Sequence, residues 1–195
     1  KNAVKVFSIY RIGDVGLILA MWASHHLWHE NITFVKLNNA ELVHEHLASH
    51  TIIGAFISLT ILVTALAKSA QLPFSSWLPR AMEGPTPSSA VFYGALSVHL
   101  GVFLLLRISP VLDSAPWLSV LVVVLGLATA AFAYLAGRVQ TDIKSALAFA
   151  SLTQVGIIIA EIGFGLRYLA LIHMLGHACL RTLQFIRAPS LLHDH

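Results

Sequence analysis

The side chains best placed to do chemistry in this sequence are ionisable groups set in stretches that are otherwise apolar. Arg11 and Asp14 stand three apart, on one face of a helix, close enough to pair in place. Lys68 closes a mostly apolar run and is followed by Gln71 and Pro73. Proline donates no backbone hydrogen bond and crowds the carbonyl one turn earlier, so a helix must break or kink where this lysine lies. His99 stands in an apolar stretch six residues after Tyr93, and Lys144 follows Asp142 by two. His173, His177 and Arg181 recur every four residues, which sets three polar groups in a row on one helix face. The chemistry such groups share is proton passage. An imidazole takes and releases protons near neutrality, and a poorly solvated lysine exchanges its own. Ser151, Thr153 and Gln154 add polar groups that can carry hydrogen-bonded water.

Each group also has a plainer reading. Arg11 and Asp14 can lock two helices together, and Lys68 can mark a helix that simply ends at the membrane surface. His99 can be a packed, hydrogen-bonded histidine, and Tyr93 either a proton-wire hydroxyl or a packed aromatic. Lys144 either faces inward or reaches to lipid headgroups, while Glu161 is expected at the membrane interface. Two histidines at i, i+4 also suit a metal, yet the zinc pattern HExxH requires glutamate where Met174 stands, and no carboxylate lies nearby in sequence. Proton relay is therefore favoured over metal. His25, His26, His29, His44, His46 and His50, with Glu30, Glu41 and Glu45 among them, match no known cage spacing, and no metal is assigned.

The elements that must hold these groups follow from composition. The chain has 195 residues, 57% of them hydrophobic and 11% charged, against about 25% charged in ordinary soluble proteins. The mean hydropathy is +0.78. No compact soluble shape of this size hides so much apolar surface, and no disordered chain carries it. The net charge is +3 without any run of Lys or Arg, which excludes a nucleic-acid surface. Cys179 is the single cysteine, so an internal disulfide, a CxxC pair and a cysteine cage for iron–sulfur are all excluded. No GxGxxG or Walker motif occurs. No cofactor and no catalytic residue in the enzymatic sense is assigned.

A helix needs about 20 mostly apolar residues to span a bilayer core. Six stretches qualify, at about 4–28, 49–67, 88–107, 116–137, 142–165 and 166–186, the second continuing, interrupted, past Lys68. The segments do not alternate, which argues against a barrel. The fold class expected is all-α, a polytopic transmembrane helix bundle broken near Lys68–Pro73. Residues 29–48 read as a polar loop, and 75–87, with Gly84, Pro79, Pro85 and Pro87, as a bend. With no repeat and no linker, residues 1–195 are expected to form one membrane domain, an internal piece of a longer protein. Lys1, Lys5, Arg80, Arg138, Lys144 and Arg187 fall on the starting face, against Lys36, Arg107 and Arg167 on the other, which makes the starting face cytoplasmic.

The stretch KSAQLPFSSWLPRAMEGPTP (68–87) resembles the signature of proton-conducting, antiporter-like membrane subunits. These include the L, M and N subunits of respiratory complex I and the large subunits of multisubunit sodium/proton antiporters. RIGDVG (11–16), QTDIK (140–144) and HMLGHACLR (173–181) follow in the family's order, and the first two look most like the L-type branch. The resemblance covers nearly the whole chain and corresponds to the middle of such a subunit. It implies that Lys68 is the broken-helix lysine central to the proton path, with a glutamate partner on an earlier helix that this piece lacks. It further implies that Arg11 and Asp14 form a pair near a neighbouring subunit, that Lys144 is a bridging lysine, and that His173 and His177 are relay histidines. Arg181 stands where L-type members commonly carry lysine. Tyr93 stands where the family usually has histidine, and His99 six residues on is the nearest substitute.

The function expected is proton translocation by the antiporter-like subunit of an NADH-quinone oxidoreductase-type complex, without redox chemistry in this chain. The alternatives are a proton-coupled subunit of an inorganic-carbon (bicarbonate or CO2) uptake complex and a sodium/proton antiporter. Partners would be other membrane and peripheral subunits, the lipid membrane and protons. The location would be a multi-pass one, in the bacterial cell inner membrane.

Overall fold

The computed structural model describes residues 2–29, 33–49 and 51–188. Six of its helical segments are long and apolar enough to cross a membrane. They are α1 (Asn2–Trp28), α4 (Thr51–Lys68), an irregular span over Ser89–Arg107, α9 (Pro116–Gly137), α10 (Ile143–Gly163) and α11 (Arg167–Arg187). No strand occurs among the described residues. In hydrocarbon every backbone N–H and C=O must be satisfied within the protein, which an α-helix does within one segment. The boundaries follow local chemistry. α9 opens on Pro116, whose missing N–H costs nothing in a first turn. α10 is capped by Asp142, whose carboxylate accepts from Ser145 N at 2.8 Å.

The bundle is built from neighbouring pairs. α1 lies along α4, α9 along α10, and α11 packs on both α10 and the irregular span. Gly13 and Gly16 of RIGDVG face α4. A Cβ on Gly16 would come within 2.7 Å of Thr64 Oγ1 and 2.9 Å of the Thr60 carbonyl. The missing side chains let the backbones close, and Thr64 Oγ1 donates to the Gly13 carbonyl at 3.0 Å.

Residues 29–48, expected as a polar loop, hold two helices among their described residues, α2 (Phe34–Leu37) and α3 (Ala40–Ser49). Thr33 caps the first, accepting from Lys36 N, and Asn39 Oδ1 accepts from Leu42 N just ahead of the second. Leu37, Val43 and Leu47 are buried, and α3 rests on α4 and on α8 (Ser109–Ser114). The polar residues that suggested a loop form the outer face of an amphipathic helix.

α4 stops at Lys68. Ala70 takes a left-handed conformation, φ +54°, and Gln71 N donates back to the Leu66 carbonyl at 2.9 Å. This is the six-to-one bond of a Schellman cap, with alanine where glycine is usual. The chain then passes the cis Leu72–Pro73 peptide, a 3-10 turn (Ser75–Trp77) and α5 (Leu78–Ala81). Two side chains satisfy backbone groups left by the break: Trp77 Nε1 donates to the Ala67 carbonyl at 3.0 Å, and Thr129 Oγ1 accepts from Leu72 N at 3.0 Å.

The irregular span changes pitch along its length. A short α6 (Thr86–Ser88) leads into a π-helical stretch, Ser89–Leu96, then a 3-10 turn, Ser97–His99, then α7 (Leu100–Arg107). Such pitch changes free carbonyls from the regular ladder.

Candidate functional site

Three clusters of ionisable side chains lie between helices of the bundle. The first joins α1 to the broken end of α4. Lys68 Nζ donates to Asp14 Oδ1 at 2.5 Å and sits 4.5 Å from the centre of the Tyr10 ring. The other carboxylate oxygen, Asp14 Oδ2, accepts from Arg11 Nη1 at 2.9 Å. One carboxylate is thus shared by two cations. The lysine side chain is only 18% exposed whereas that of Arg11 is 62% exposed, so Arg11 is the cation nearer the surface. The partner of Lys68 within this chain is therefore Asp14, a residue expected to pair with Arg11 alone. The close approach at Gly13 and Gly16 sets that contact. An open cavity of about 640 Å3 borders the cluster, lined by Asp14, Lys68, Arg80, Glu83, Gly84 and Ser97 among others.

The second cluster joins the irregular span to α11. Its hydrogen bonds fix the ring protons one after another. Arg181 Nε, a donor only, points at His177 Nε2 at 3.3 Å. His177 Nε2 is then the acceptor, and Nδ1 carries the proton that it donates to His99 Nε2 at 3.0 Å. His99 Nδ1 donates in turn to the Ala95 carbonyl at 2.8 Å. Ala95 belongs to the π-helical stretch and His99 to the 3-10 turn after it, so the pitch change supplies the acceptor. The result is a one-way chain, Arg181 to His177 to His99 to Ala95, with both rings neutral. Arg181 is buried, also donates to Gln184 Oε1 at 2.7 Å, and pairs with no carboxylate among the described residues.

His173, one turn before His177, belongs to a third arrangement. Its Nδ1 lies 2.9 Å from Glu161 Oε1 and its Nε2 lies 3.0 Å from Gln154 Oε1. Glu161, expected at the interface, instead turns inward, with its side chain 15% exposed. Sequence proximity gave no carboxylate for the histidines. The hairpin supplies one, because α10 and α11 run antiparallel through the short turn at 164–166. Gln154 and Glu161 are seven apart, two turns along one face of α10, and His173 falls level with the gap between them. That spacing was the available signal.

The other candidates are more scattered. Lys144 is half-buried and donates to the Gly84 carbonyl at 3.3 Å. That carbonyl belongs to a residue lining the Lys68 cavity, but among the described residues no hydrogen bond or ion pair joins Lys144 to Lys68 or to the histidines. Tyr93 lies on the π-helical stretch, and its side chain falls outside the described residues. Ser97 lines the Lys68 cavity while His99, two residues on, joins the histidine chain, so the irregular span is the element that touches both the first cluster and the second. Among the described residues no group of His, Cys, Asp and Glu converges as a metal site. His46 instead stacks on Trp28, ring centres 5.3 Å apart, and Nδ1 donates to the Leu42 carbonyl. His50 and Glu30 lie outside the described residues.

Residues 1–195 match the profile of a family described as NADH:quinone oxidoreductase/Mrp antiporter, transmembrane. The NADH-ubiquinone oxidoreductase chain 5 of Metridium senile is 37% identical over 99% of this chain and 31% of its own length. The NADH-quinone oxidoreductase subunit L of Rhodobacter capsulatus is 35% identical over 98% of this chain and 27% of its own. Among solved structures, a chain of the Mrp complex from Dietzia sp. DQ12-45-1b superposes with a TM-score of 0.87 at 29% identity, covering 95% of this chain and 20% of that one. This chain thus spans about a third or less of the length of the relatives it matches.

Proposed function

Because the chain belongs to the NADH:quinone oxidoreductase/Mrp antiporter transmembrane family, we propose that it carries protons through the membrane as the central part of an antiporter-like subunit. Lys68, Asp14, His99, His173 and His177 hold or pass the proton, and Arg11, Lys144 and Arg181 set the charge around them. The observation that carries this reading is the contact between Lys68 Nζ and Asp14 Oδ1, 2.5 Å, at the point where α4 breaks beside an open cavity. An ionisable side chain within a membrane span costs roughly 2.5–3.5 kcal/mol on insertion scales. Two such groups from different helices meet here, and the helix is interrupted at the same place.

The mechanism follows from the shared carboxylate. Asp14 paired with Lys68 holds the lysine in its charged form. When a charge or a conformational shift in a neighbouring subunit draws Asp14 toward Arg11, the lysine loses its counter-ion and releases its proton toward the irregular span. The histidine chain is neutral, and an incoming proton reaches His177 Nε2 when its 3.3 Å contact with Arg181 opens. No redox step is placed in this chain. The energy comes from partner subunits of a multisubunit complex, in the cell inner membrane if the source is bacterial.

A second reading, cation/proton exchange, draws on the structural likeness to the Mrp complex chain. The test is transport by the full-length protein in its complex, reconstituted in vesicles. Lys68→Ala is expected to abolish proton flux, and unchanged flux would end the proposal. Flux that requires sodium would favour the exchange reading.

A further inference from the structure

The Glu161–His173–Gln154 arrangement lies outside the chain that runs from Arg181 to Ala95, and nothing above assigns Glu161 a role. Three features set it apart from a surface ion pair. Glu161 Oε1 meets His173 Nδ1 at 2.9 Å, and its other oxygen, Oε2, is buried and accepts no hydrogen bond among the described residues. The helix end that carries Glu161 is fixed by its own backbone. Leu166 N donates to the Glu161 carbonyl at 2.9 Å across a turn in which Gly165 adopts φ +81°. This Schellman turn needs the left-handed conformation that glycine takes without penalty. Finally, the ring of His173 faces an oxygen on both sides, with Nε2 3.0 Å from Gln154 Oε1. Both nitrogens then donate, the pattern of an imidazolium facing a carboxylate. The same amide oxygen suits the imidazolium and the neutral ring that keeps its proton on Nε2, because Nε2 is a donor in both.

We propose that Glu161 is a proton-exchanging partner of His173, and that Gln154 positions the ring and, by accepting from Nε2–H, leaves Nδ1 as the nitrogen that exchanges. In the step, the Nδ1–H bond of His173 breaks and an O–H bond forms at Glu161 Oε1. The imidazolium becomes imidazole and the carboxylate becomes a carboxylic acid, so the pair passes from two opposite charges to none. His173 lies one turn from His177 on the same face of α11, which puts this exchange beside the histidine chain. The inference rests on the proton-transport reading above.

The test uses the full-length protein in its native complex, reconstituted in vesicles, with proton flux and complex yield both measured. Glu161→Gln keeps the shape and an acceptor for Nδ1 but cannot take a proton, and flux is expected to fall by about 100-fold. Glu161→Asp should retain most of the flux. The exchange Gln154→Glu with Glu161→Gln moves the carboxylate to the Nε2 side of the same ring and should restore flux, which a merely structural role would not produce. Wild-type flux in Glu161→Gln would overturn the inference, as would an equal loss in all three variants. Should Glu161→Gln fail to assemble, dicyclohexylcarbodiimide, which adds to protonated carboxyl groups in apolar surroundings, is applied to the unaltered complex. An adduct on Glu161 with loss of flux supports the exchange, and inhibition without an adduct there refutes it. Lys68→Ala serves as the control: if it leaves flux unchanged, the transport reading itself fails, whatever Glu161 does.

Discussion

At the scale of single residues, the carboxylate shared by Lys68 and Arg11 makes Asp14 the most informative position in the chain. Asp14→Asn keeps an acceptor for Arg11 but leaves the half-buried Lys68 ammonium without a counter-charge. The expected cost is about 1–3 kcal/mol, together with a loss of flux. Thermal unfolding of the complex in detergent, beside flux in vesicles, checks both. Arg181 makes the converse point. It reaches His177 through Nε at 3.3 Å, and arginine does not release its proton. A lysine can restore the bond to His177 but not at the same time the one to Gln184 Oε1, so Arg181→Lys should keep flux within about threefold, whereas Arg181→Leu removes both donors and should lower it about tenfold. The same vesicle assay separates the two.

At the scale of elements, the break after Lys68 is stabilised from outside its own helix. Trp77 Nε1 and Thr129 Oγ1 satisfy a carbonyl and an N–H that the helix break leaves unpaired, which lipid cannot do. Trp77→Phe keeps the packed ring but leaves the Ala67 carbonyl without its donor, and should destabilise the protein by about 1–2 kcal/mol. Ala70 holds φ +54°, a conformation that costs a non-glycine residue about 1 kcal/mol. Ala70→Gly should therefore raise the unfolding midpoint without loss of transport. The packing of α1 on α4 is tested by Gly16→Leu, which drives a side chain into Thr64. It should separate Asp14 from Lys68 and reduce both stability and flux.

At the scale of the whole molecule, the unpaired faces matter. α1 carries exposed Val4, Phe7, Val15, Ile18, Met21 and Trp22, and the chain spans 31% of the length of the Metridium senile relative. Lipid, further helices and partner subunits are the surroundings that this apolar surface suits. Purification of the full-length protein from its native membrane, with identification of the co-purifying chains and a visible spectrum, distinguishes the complexes it could serve. Flavin and iron–sulfur absorption in the partners fits an NADH-quinone oxidoreductase-type assembly. Further membrane chains without chromophore, together with sodium-dependent flux, fit an antiporter.

Composition and period determined the fold class, because a run of about 20 apolar residues has few options other than to cross the bilayer as a helix. The six spans, the break at Pro73 and the cap at Asp142 follow from local chemistry that each residue imposes on its neighbours. The short motifs also made the family legible. Partnership was not legible in the same way. Asp14 meets Lys68 across 54 positions, His99 meets His177 across 78, and Glu161 meets His173 across a helical hairpin. Residues 29–48 likewise looked like a loop until Leu37, Val43 and Leu47 had α4 and α8 to pack against. Which ionisable groups share a hydrogen bond depends on how closely helices approach and how each is rotated. Those quantities are set by packing between distant segments, at glycines 13 and 16 and at the pitch change before His99, and only the tertiary structure decides them.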